Sequence, residues 1–476
     1  MEKINWLEWN KESFEKSTKE NKPILLDISA VWCHWCHRLD KDTYSSKLVI
    51  EKINKNFIPI KVDTDKRPDI NVRYNIGGWP TTAVLNKKGK IISGALYLPP
   101  FDMLDFLDNS LELFKGKKDE EIEKNLFELN KFNNQDIKKI QEEILQTIES
   151  SYDPYFGGFG SGQKFPHNSI LELLMHFFED KNEETILIKT LTNMADGEIF
   201  DKEESGFFRY STQQDWSQPH YEKLLDDNTR LLKSYLMLYK LTEIAKFKEV
   251  SLKTIDFILN NFLNKEKTFF YASQDADEKY SKLSLKERQK AKKPYIDQTL
   301  YLDFNCYAIN SFFTASEILK DKKYKEIALN VLEFIINNLI NNEGVMHYYD
   351  SKAHEPYLLK NHLLLINSLL ESNENKNLKL AEDLIEKTIK NFSDKNSFYD
   401  IKSKDNLGCL QIRKIDIEEN SLAIKVLLKL FEKTKDKKYK EIAEKTINSI
   451  KNYVNPKSLF SASFAESITY YFKLIP

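Results

Sequence analysis

The pattern of apolar and polar positions changes once along the chain, near residue 115. Before that point short apolar runs alternate with amphipathic stretches, a pattern typical of a βαβ unit followed by an antiparallel hairpin. The predicted strands lie at 24–28, 57–62, 81–85 and 91–92, and the predicted helices at 33–39, 49–54 and 101–114. We therefore expect an α/β domain over 1–115, followed by a charged linker over 116–135.

Beyond residue 135 apolar residues recur at spacings of three and four, which predicts an almost wholly helical region. The twelve predicted helices lie at 136–150, 168–179, 183–197, 221–243, 246–263, 298–319, 322–340, 358–371, 376–392, 418–434, 437–454 and 459–473. They pair into six helical hairpins. The octapeptide that begins at Asp321 recurs without change at Asp436, 115 residues later, as repeated helical pairs would require. This favours a closed (α/α)6 toroid over 136–476; an open solenoid is the alternative and would need capping repeats.

Charge and composition narrow the classes of partner. Hydrophobic residues make up 41% of the chain and charged residues 30%, with 71 basic and 73 acidic side chains in near balance. Such a balance supplies no field to attract nucleic acid or an anionic membrane. The first ten residues lack the apolar core of a signal peptide, and no stretch approaches the roughly 20 apolar residues of a membrane helix. We expect a cytoplasmic protein with no nucleic-acid or membrane partner.

Two of the four cysteines, Cys33 and Cys36, stand three residues apart. The apolar run before them predicts a buried strand and the residues after Cys33 predict a helix, so Cys33 should lie at a helix N-terminus. Unpaired amides there favour a thiolate, and the pKa of a thiol in such a pair can fall from about 8.5 to roughly 3.5–7.5. Cys33 is thus the candidate nucleophile and Cys36 the resolving thiol. The isolated Cys306 and Cys409 are expected to be buried.

Asp27 and Pro80 complete this candidate catalytic set. Asp27 lies inside the apolar strand, where burial should raise its pKa and allow it to exchange a proton with Cys36. Pro80 follows Trp79 and is a candidate cis proline, whose loop would pack against the cysteines and leave backbone groups for an extended substrate. Together with the cysteines, these residues resemble the active site of the thioredoxin fold. The partner expected is a protein thiol or disulfide, or a small thiol.

Three other readings of the cysteine pair stay open at this point. The string Cys33 to His37 formally matches a c-type haem attachment sequence, although no export signal precedes it. Zinc could be held by the two cysteines and His34 or His37, but a second pair of ligands is not nearby. Alternatively, the pair is chemically inert. Our prediction is that the protein uses no cofactor and no metal.

The loops of the helical half carry clusters of aromatic and acidic residues, which suit the apolar faces and hydroxyl groups of a sugar. The candidate pocket residues are Arg209, Tyr210, His220, Glu222, Asp226, Asp227, Asp275 and Asp277. Glycoside chemistry would need two carboxyl groups, one protonated and one ionised. His220 could act as a base for epimerisation, or it could be a structural histidine with its hydrogen bonds satisfied. Equally, Asp226 and Asp227 could cap or line a helix and the aromatic residues could form the core.

Several short blocks occur in a fixed order along nearly the whole chain. They are 32–37, 61–63, 67–69, 77–80, 157–160, 164–166, 208–211, 219–220, 222–223, 227–228 and 275–277. With these blocks the chain resembles the spermatogenesis-associated thioredoxin-like protein family, whose bacterial members join a thioredoxin-like domain to a six-hairpin, glycosidase-like toroid. The chain departs from the family pattern at Phe208, Asp226 and Phe304, where histidine, tyrosine and tryptophan are usual.

These observations lead to one main functional hypothesis and two alternatives. The main one is a thiol-disulfide oxidoreductase in which Cys33 attacks, Cys36 resolves and Asp27 relays the proton, fused to a toroid with a sugar-like binding pocket. The first alternative is a carbohydrate-active enzyme, an epimerase, isomerase or hydrolase, with an accessory thioredoxin-like domain. The second is a binding protein without catalytic activity.

Overall fold

The computed structural model describes residues 3–117, 121–123, 125–132, 136–402 and 407–475. These residues separate into two compact units, each described here by itself. Unit 1 comprises Met1–Glu128 and Ser403–Lys414, and unit 2 comprises Leu129–Lys402 and Ile415–Pro476. A segment from late in the chain therefore belongs to the first unit. Residues 118–120, 124 and 133–135 of the predicted linker lie outside the described residues.

Unit 1 is an α/β unit built around a four-stranded sheet in the order β2-β1-β3-β4. Strand β1 pairs in parallel with β2 and antiparallel with β3, and β3 pairs antiparallel with β4. Its elements are α1 (Lys11–Glu20), β1 (Ile24–Ser29), α2 (His34–Arg38), α3 (Lys47–Asn56), β2 (Ile58–Asp63), α4 (Pro68–Tyr74), β3 (Thr81–Leu85), β4 (Ile91–Ala95) and α5 (Pro100–Lys117). The predicted parallel pair and hairpin are both present.

The burial of the sheet explains which elements the sequence pattern revealed. The two central strands, β1 and β3, are buried on both faces and therefore read as continuous apolar runs. Helix α4 was not predicted. It begins at Pro68 and has only seven residues, which are too few to show a helical period. Helix α1 was also missed, since its ten residues are mostly charged and only Ser13, Phe14 and Ser17 are buried. The predicted helix through Leu39 ends as an α-helix at Arg38 and continues as a π-helical turn over Leu39–Thr43.

Unit 2 contains all twelve of the predicted helices. They are α6 (Ile137–Ser151), α7 (Asn168–Leu174), α8 (Lys181–Asp196), α9 (Leu225–Thr242), α10 (Ala245–Asn261), α13 (Leu302–Leu319), α14 (Lys322–Leu339), α15 (Leu359–Glu371), α16 (Asn375–Phe392), α17 (Ile417–Thr434), α18 (Lys437–Ile450) and α19 (Ala462–Leu474). Two short helices, α11 (Glu278–Ser281) and α12 (Leu285–Arg288), were not predicted.

Two-residue strands lie in the loops of unit 2 and form small antiparallel pairs. They are β5 (Tyr210–Ser211), β6 (Pro219–His220), β7 (Lys223–Leu224), β8 (Ser273–Gln274), β9 (Ile296–Asp297), β10 (Leu300–Tyr301), β11 (Tyr348–Tyr349), β12 (Ala353–His354), β13 (Ser393–Asp394) and β14 (Ser397–Phe398). Such short pairings leave no sequence period, so the hydrophobic pattern could not reveal them.

Six helices of unit 2 form a closed inner ring. Helices α7, α9, α13, α15, α17 and α19 each pack against the next, and α19 packs back against α7. Helices α8, α10, α14, α16, α18 and α6 each pack on the outside of members of that ring. The architecture is therefore the closed (α/α)6 toroid and not the open solenoid.

A buried polar clamp recurs at the fourth residue of four inner helices. The side chains of Asn228, Asn305 and Asn420 each accept a bond from one backbone amide of the preceding loop and donate to two backbone carbonyls. In α15, His362 occupies this place, accepting from the Val345 amide at 3.0 Å and donating to the Leu358 carbonyl. Each clamp joins a loop to an inner helix and satisfies buried backbone groups.

The repeated octapeptide also has a structural role. Asp321 and Asp436, which begin its two copies, are the N-caps of α14 and α18, and each accepts a bond from a backbone amide of the first turn. No helix among the described residues is long and apolar enough to cross a membrane.

Candidate functional sites

The cysteine pair lies where strand β1 gives way to helix α2. Cys33 is the N-cap of α2, and its sulfur accepts a hydrogen bond from the Cys36 amide at 3.1 Å. The two cysteines form a disulfide, and each keeps only 3–4% of its surface exposed. Once the disulfide is reduced, the same amide and the helix N-terminus would stabilise a Cys33 thiolate.

Asp27 lies in the middle of β1 and is almost fully buried. Burial raises its pKa to about 6, although the Lys61 ammonium at 3.4 Å favours the charged form. Tyr44 donates a hydrogen bond to the same carboxylate at 3.1 Å. A carboxyl group with such a pKa can take up and return a proton near neutral pH, which is the property that a proton relay requires.

The loop before β3 is held by side chains of α4 and of its C-cap residue. Asn75 accepts hydrogen bonds from the amides of Gly77 and Gly78 at 2.7 and 3.0 Å. The Trp79 indole donates to Asn71 at 3.2 Å. The Trp79–Pro80 peptide bond is cis, and the Trp79 ring meets Trp32, which directly precedes Cys33, at 5.7 Å between centroids. The loop that carries Pro80 therefore contacts the segment that carries the cysteine pair.

Exposed apolar side chains accompany this loop and the cysteine helix. Trp35, between the two cysteines, is 44% exposed and packs on Tyr97. Ile76 and Leu96 are 41% and 44% exposed, although a typical large apolar residue is buried. A protein substrate could cover these side chains while its disulfide reacts.

The structure brings together four of the eight predicted toroid residues at the hairpin of β5 and β6. Tyr210 pairs with His220 across the hairpin, and their rings stack at 4.4 Å, with Phe165 stacked on the other side of Tyr210 at 4.6 Å. The Arg209 guanidinium lies over the Tyr210 ring. Glu222 is buried, with one carboxylate oxygen 3.7 Å from His220 Nδ1.

Asp226 and Asp227 occupy the first turn of α9. Burial raises the pKa of Asp227 to about 7, and the neighbouring Asp226 charge adds to the rise, against the opposing charges of Arg209 and Arg230. Burial also raises the pKa of Asp226, which Lys360 opposes. Two adjacent carboxyl groups therefore have weakened acidity, and Asp227 holds a proton for part of the time at neutral pH.

Three carboxylate oxygens near this cluster lack an internal donor. Asp226 Oδ1, Asp303 Oδ1 and Glu222 Oε2 are buried and have no hydrogen-bond partner among the described residues. Burial favours the neutral form of Asp303, but Lys360 at 3.2 Å, together with His347 and the Phe304 amide, holds the pKa of Asp303 below its usual value. Buried acceptors without donors are costly, so a ligand with several hydroxyl groups would suit them.

Polar side chains join every neighbouring pair of helices in the inner ring. The contacts are Arg230–Glu172 (α9 to α7, 3.2 Å), Arg230 over Tyr307 (α9 to α13, 5.1 Å), Lys360–Asp303 (α15 to α13, 3.2 Å), Lys429–Asn367 (α17 to α15, 2.8 Å), Lys425–Glu466 (α17 to α19, 2.6 Å) and Glu466–His176 (α19 to the 3-10 turn that follows α7, 3.8 Å). Sequence analysis did not single out these residues. Their signal is a second, polar stripe at helical spacing on the inner helices, as at Asp226, Arg230 and Lys233 of α9.

The two remaining predicted pocket residues have different surroundings. Asp277 is the N-cap of the short helix α11 and accepts a bond from the Tyr280 amide at 2.9 Å. Asp275 follows β8 directly, and its amide donates to the Tyr295 carbonyl at 2.8 Å. Asp277 therefore caps a helix, whereas Asp226 and Asp227, for which capping or lining a helix was the alternative, lie in the first turn of α9.

Two of the short sequence blocks, 164–166 and 222–223, hold loops in place through their lysines. Lys164 is fully buried and donates to Asp153 and to the carbonyls of Gly157 and Gly160. Lys223 is buried in the same way and reaches Asp201 at 2.7 Å, which also binds Arg288. Each of these buried lysines is paired with a buried carboxylate, so we assign the ion pairs a structural role.

Metal ligation was an open alternative for the cysteine pair. Among the residues that the structure describes, no group of three or more His, Cys, Asp or Glu side chains is arranged to hold a metal ion. Cys306 and Cys409 are free thiols and both are buried, as predicted.

Comparison with known proteins supports the same two-part reading. A family model named Thioredox_DsbH and described as "Protein of unknown function, DUF255" matches residues 1–148. The uncharacterized protein B0495.5 of Caenorhabditis elegans is 34% identical over 306 residues, which are 58% of this chain and 41% of that protein. Human spermatogenesis-associated protein 20 is 27% identical over 307 residues, which are 58% of this chain and 39% of that protein. The matched part thus spans about two fifths of the length of these relatives.

Solved structures are similar to the toroid. Cellobiose 2-epimerase from Spirochaeta thermophila superposes with a TM-score of 0.56 at 12% identity, covering 70% of this chain and 96% of the epimerase. At this identity the likeness establishes the fold alone. The resemblance drawn from the sequence blocks, a thioredoxin-like domain joined to a six-hairpin toroid, is confirmed.

Proposed function

Because the chain carries a DUF255 thioredoxin-like domain and is a relative of spermatogenesis-associated protein 20, we propose that its first activity is thiol-disulfide exchange at Cys33 and Cys36. The observation that carries the proposal is the position of Cys33. Cys33 is the N-cap of α2, its sulfur accepts a hydrogen bond from the Cys36 amide, and it is joined to Cys36 in a disulfide. A thiol placed in this way is activated, and a second thiol is within bonding reach of it.

The proposed reaction is a reversible exchange in two steps. The Cys33 thiolate attacks one sulfur of a substrate disulfide, forms a mixed disulfide and releases the other sulfur as a thiolate. Asp27 then accepts the proton of Cys36, and the Cys36 thiolate attacks the Cys33 sulfur. The substrate leaves with both of its sulfurs reduced. The two electrons come from the two cysteine thiols, which are left oxidised as the Cys33–Cys36 disulfide.

The partner we propose is a protein rather than a small thiol alone. The exposed side chains of Trp35, Ile76 and Leu96 offer apolar contact area that glutathione has little means to use. We test this by incubating the Cys36→Ser variant with a mixture of oxidised protein substrates and counting disulfide-linked adducts on a non-reducing gel. Adducts that vanish in the Cys33→Ser, Cys36→Ser double variant support the proposal, and equal adducts in both contradict it.

A second activity is proposed for the toroid, on the strength of a separate observation. Three buried carboxylate oxygens lack donors, one of them on Glu222, which lies next to His220 of the Tyr210–His220 stack, and Asp227 has a pKa of about 7. A sugar would supply hydroxyl donors to the carboxylates and an apolar face to the aromatic stack. Solved structures of the same fold include a sugar epimerase and a D-mannose isomerase.

The chemistry proposed for this second site is proton transfer on a bound sugar. Asp227 and His220 are the candidate acid and base, and Arg209 and Glu222 position them. The test is a screen of reducing disaccharides and monosaccharides for epimerised or isomerised products by chromatography. Turnover lost in Asp227→Asn but kept in Cys33→Ser would support a carbohydrate activity. Binding of a sugar without any turnover would instead favour the non-catalytic alternative for the toroid.

A further inference from the structure

A segment from the end of the chain forms part of unit 1. Residues Ser403–Lys414 group with the α/β unit, although the chain on both sides of them belongs to the toroid. An isolated antiparallel β-bridge joins Tyr399 and Ile415, which flank this segment in the chain. Its described part, 407–414, contains the buried 3-10 turn Gly408–Gln411. We call this part the 407–414 segment.

The 407–414 segment is bound mainly by two consecutive residues of α4. The Tyr74 hydroxyl accepts a hydrogen bond from the Cys409 amide at 2.7 Å and donates to the Gly89 carbonyl at 2.8 Å. The Arg73 guanidinium donates to the Cys409 carbonyl at 3.2 Å and to the Ile412 carbonyl at 2.9 Å. Both side chains are at least 95% buried, so these bonds form away from water and are costly to lose.

The contact is too close to tolerate a larger residue. Gly408 has a φ of +55°, and an added Cβ there would overlap the Tyr74 hydroxyl and touch the Trp9 ring. Gly89, in the turn between β3 and β4, approaches Gly408 backbone to backbone. Glycine at both positions is what lets the segment reach α4.

The same helix holds the loop of the thiol site. Asn71 and Asn75, on α4 and directly after it, bond the Trp79 indole and the amides of Gly77 and Gly78. Trp79 in turn contacts Trp32 beside Cys33. The contacts thus run from the 407–414 segment to Tyr74 and Arg73, then along α4 to the loop that carries Pro80.

We propose that Tyr74 and Arg73 are positioning residues of the thiol site, which use the 407–414 segment as a buttress to fix the Pro80 loop. This proposal rests on the thiol-disulfide exchange proposed above. The cysteines react through groups that α2 supplies, whereas an extended substrate needs the loop. Loosening the buttress should therefore impair exchange with extended substrates and spare attack on the Cys33–Cys36 disulfide by a small reductant.

The test uses the full chain and two variants of different severity, Tyr74→Phe and Gly408→Ala. The matched control is Tyr235→Phe, which removes a buried tyrosine hydroxyl that donates to the Leu191 carbonyl in unit 2. Two rates are measured for each protein. One is exchange with an unstructured peptide that carries a glutathione mixed disulfide, and the other is reduction of the Cys33–Cys36 disulfide by dithiothreitol.

We expect Tyr74→Phe to lower kcat/KM for the peptide about five- to ten-fold, mainly through KM, because two buried hydrogen bonds and the loop geometry are lost. Gly408→Ala should lower it further, and reduction by dithiothreitol should stay within about two-fold of wild type in both, as should every rate of Tyr235→Phe. An equal fall of both rates, or no fall of either, would overturn the proposal.

A second readout separates this proposal from the exchange activity itself. Hydrogen exchange of the Gly77 and Gly78 amides, which Asn75 protects, should speed up in Tyr74→Phe and Gly408→Ala but not in the control. If wild type shows no Cys33-dependent exchange but the loop amides respond, the exchange function fails and the buttress stands. Unchanged loop amides in both variants would refute the buttress whatever the activity.

Discussion

The thiol site and the toroid site are assembled in opposite ways. Cys33 and Cys36 lie one helical turn apart, and their chemistry depends on one helix N-terminus and one buried carboxyl group. The toroid cluster draws its charged groups from all six inner helices and from the loops before them. A short motif can therefore carry the first site, whereas the second exists only after the ring has closed.

This difference explains which residues of each site the short sequence blocks contain. At the thiol site the side chains proposed to react are also the ones that the motif contains. In the toroid, Lys164, Lys223 and Asn228 belong to the most regular blocks, yet they hold loops through buried bonds. The groups available for chemistry, such as Asp303 and Lys360, lie outside those blocks. Substitutions made at one site at a time should affect one activity and spare the other.

Loss of the attacking thiol should have the largest effect. Cys33→Ser is expected to lower disulfide exchange at least about 1,000-fold, because a serine hydroxyl is not ionised near neutral pH and forms no disulfide. Exchange is measured as Cys33-dependent oxidation of a dithiol peptide. Cys306→Ala, which removes a buried thiol of unit 2, is the control and should match wild type.

The toroid carboxyl pair should matter only for the second activity. Asp227→Asn is expected to lower any sugar turnover about 100-fold, since it removes a group that can transfer a proton. The pH profile of wild-type turnover should bend near the pKa of Asp227, about 7, and the bend should be absent in the variant. Thiol exchange should be unchanged, and a parallel loss of exchange would contradict the separation of the two sites.

The buried asparagine clamps should govern the stability of the helical unit. Asn305→Ala removes one accepted and two donated hydrogen bonds and leaves buried backbone groups unpaired, at an expected cost of about 2–3 kcal/mol. Urea unfolding followed by circular dichroism measures the loss. Asn338→Ala, at an exposed site on α14 that makes one such bond, should cost less than about 1 kcal/mol. Equal costs would show that the clamp is not special.

Asp27 should link stability to pH at the thiol site. Its pKa is raised from 3.8 to about 6, so the folded state binds more protons than the unfolded state between those values. Stability contributed by this group is present at low pH and is lost as pH rises through about 6. Asp27→Asn should therefore stabilise the protein by about 1–2 kcal/mol at pH 7.5 relative to wild type and by little near pH 4.

The same substitution should slow resolution of the mixed disulfide, because the proton of Cys36 loses its acceptor. Lys61→Met offers a complementary change, since it removes the cation 3.4 Å from Asp27 and should raise the Asp27 pKa further. If the Asp27→Asn protein is no more stable than wild type at pH 7.5, the fold does not raise the pKa of Asp27.

Periodicity predicted the fold well wherever burial was one-sided or complete. All twelve long helices of the toroid and the strands β1, β2 and β3 follow their hydrophobic patterns. The 115-residue repeat has the same origin, since Asn305 and Asn420 occupy equivalent clamps and Asp321 and Asp436 equivalent caps. Helix α4 carries too few residues for a period, so its link to the 407–414 segment needed the structure.

The candidate sites were predictable to different extents for the same reason. The environments of Cys33, Asp27 and Pro80 depend on their own strand, turn and helix, which the local sequence specifies. The toroid list of eight residues contained Asp277, a helix cap, and lacked Asp303 and Lys360, whose roles depend on helices packed side by side. Contacts across the ring leave only a polar stripe at helical spacing, which does not show which residues meet.

The central claim is that Cys33 attacks and Cys36 resolves. The most direct test is mass spectrometry of the full-length Cys36→Ser variant after brief reaction with a peptide mixed disulfide. The account predicts one stable peptide adduct, mapped to Cys33, that wild type does not retain. An adduct on another cysteine, or an adduct that wild type retains equally, would contradict it.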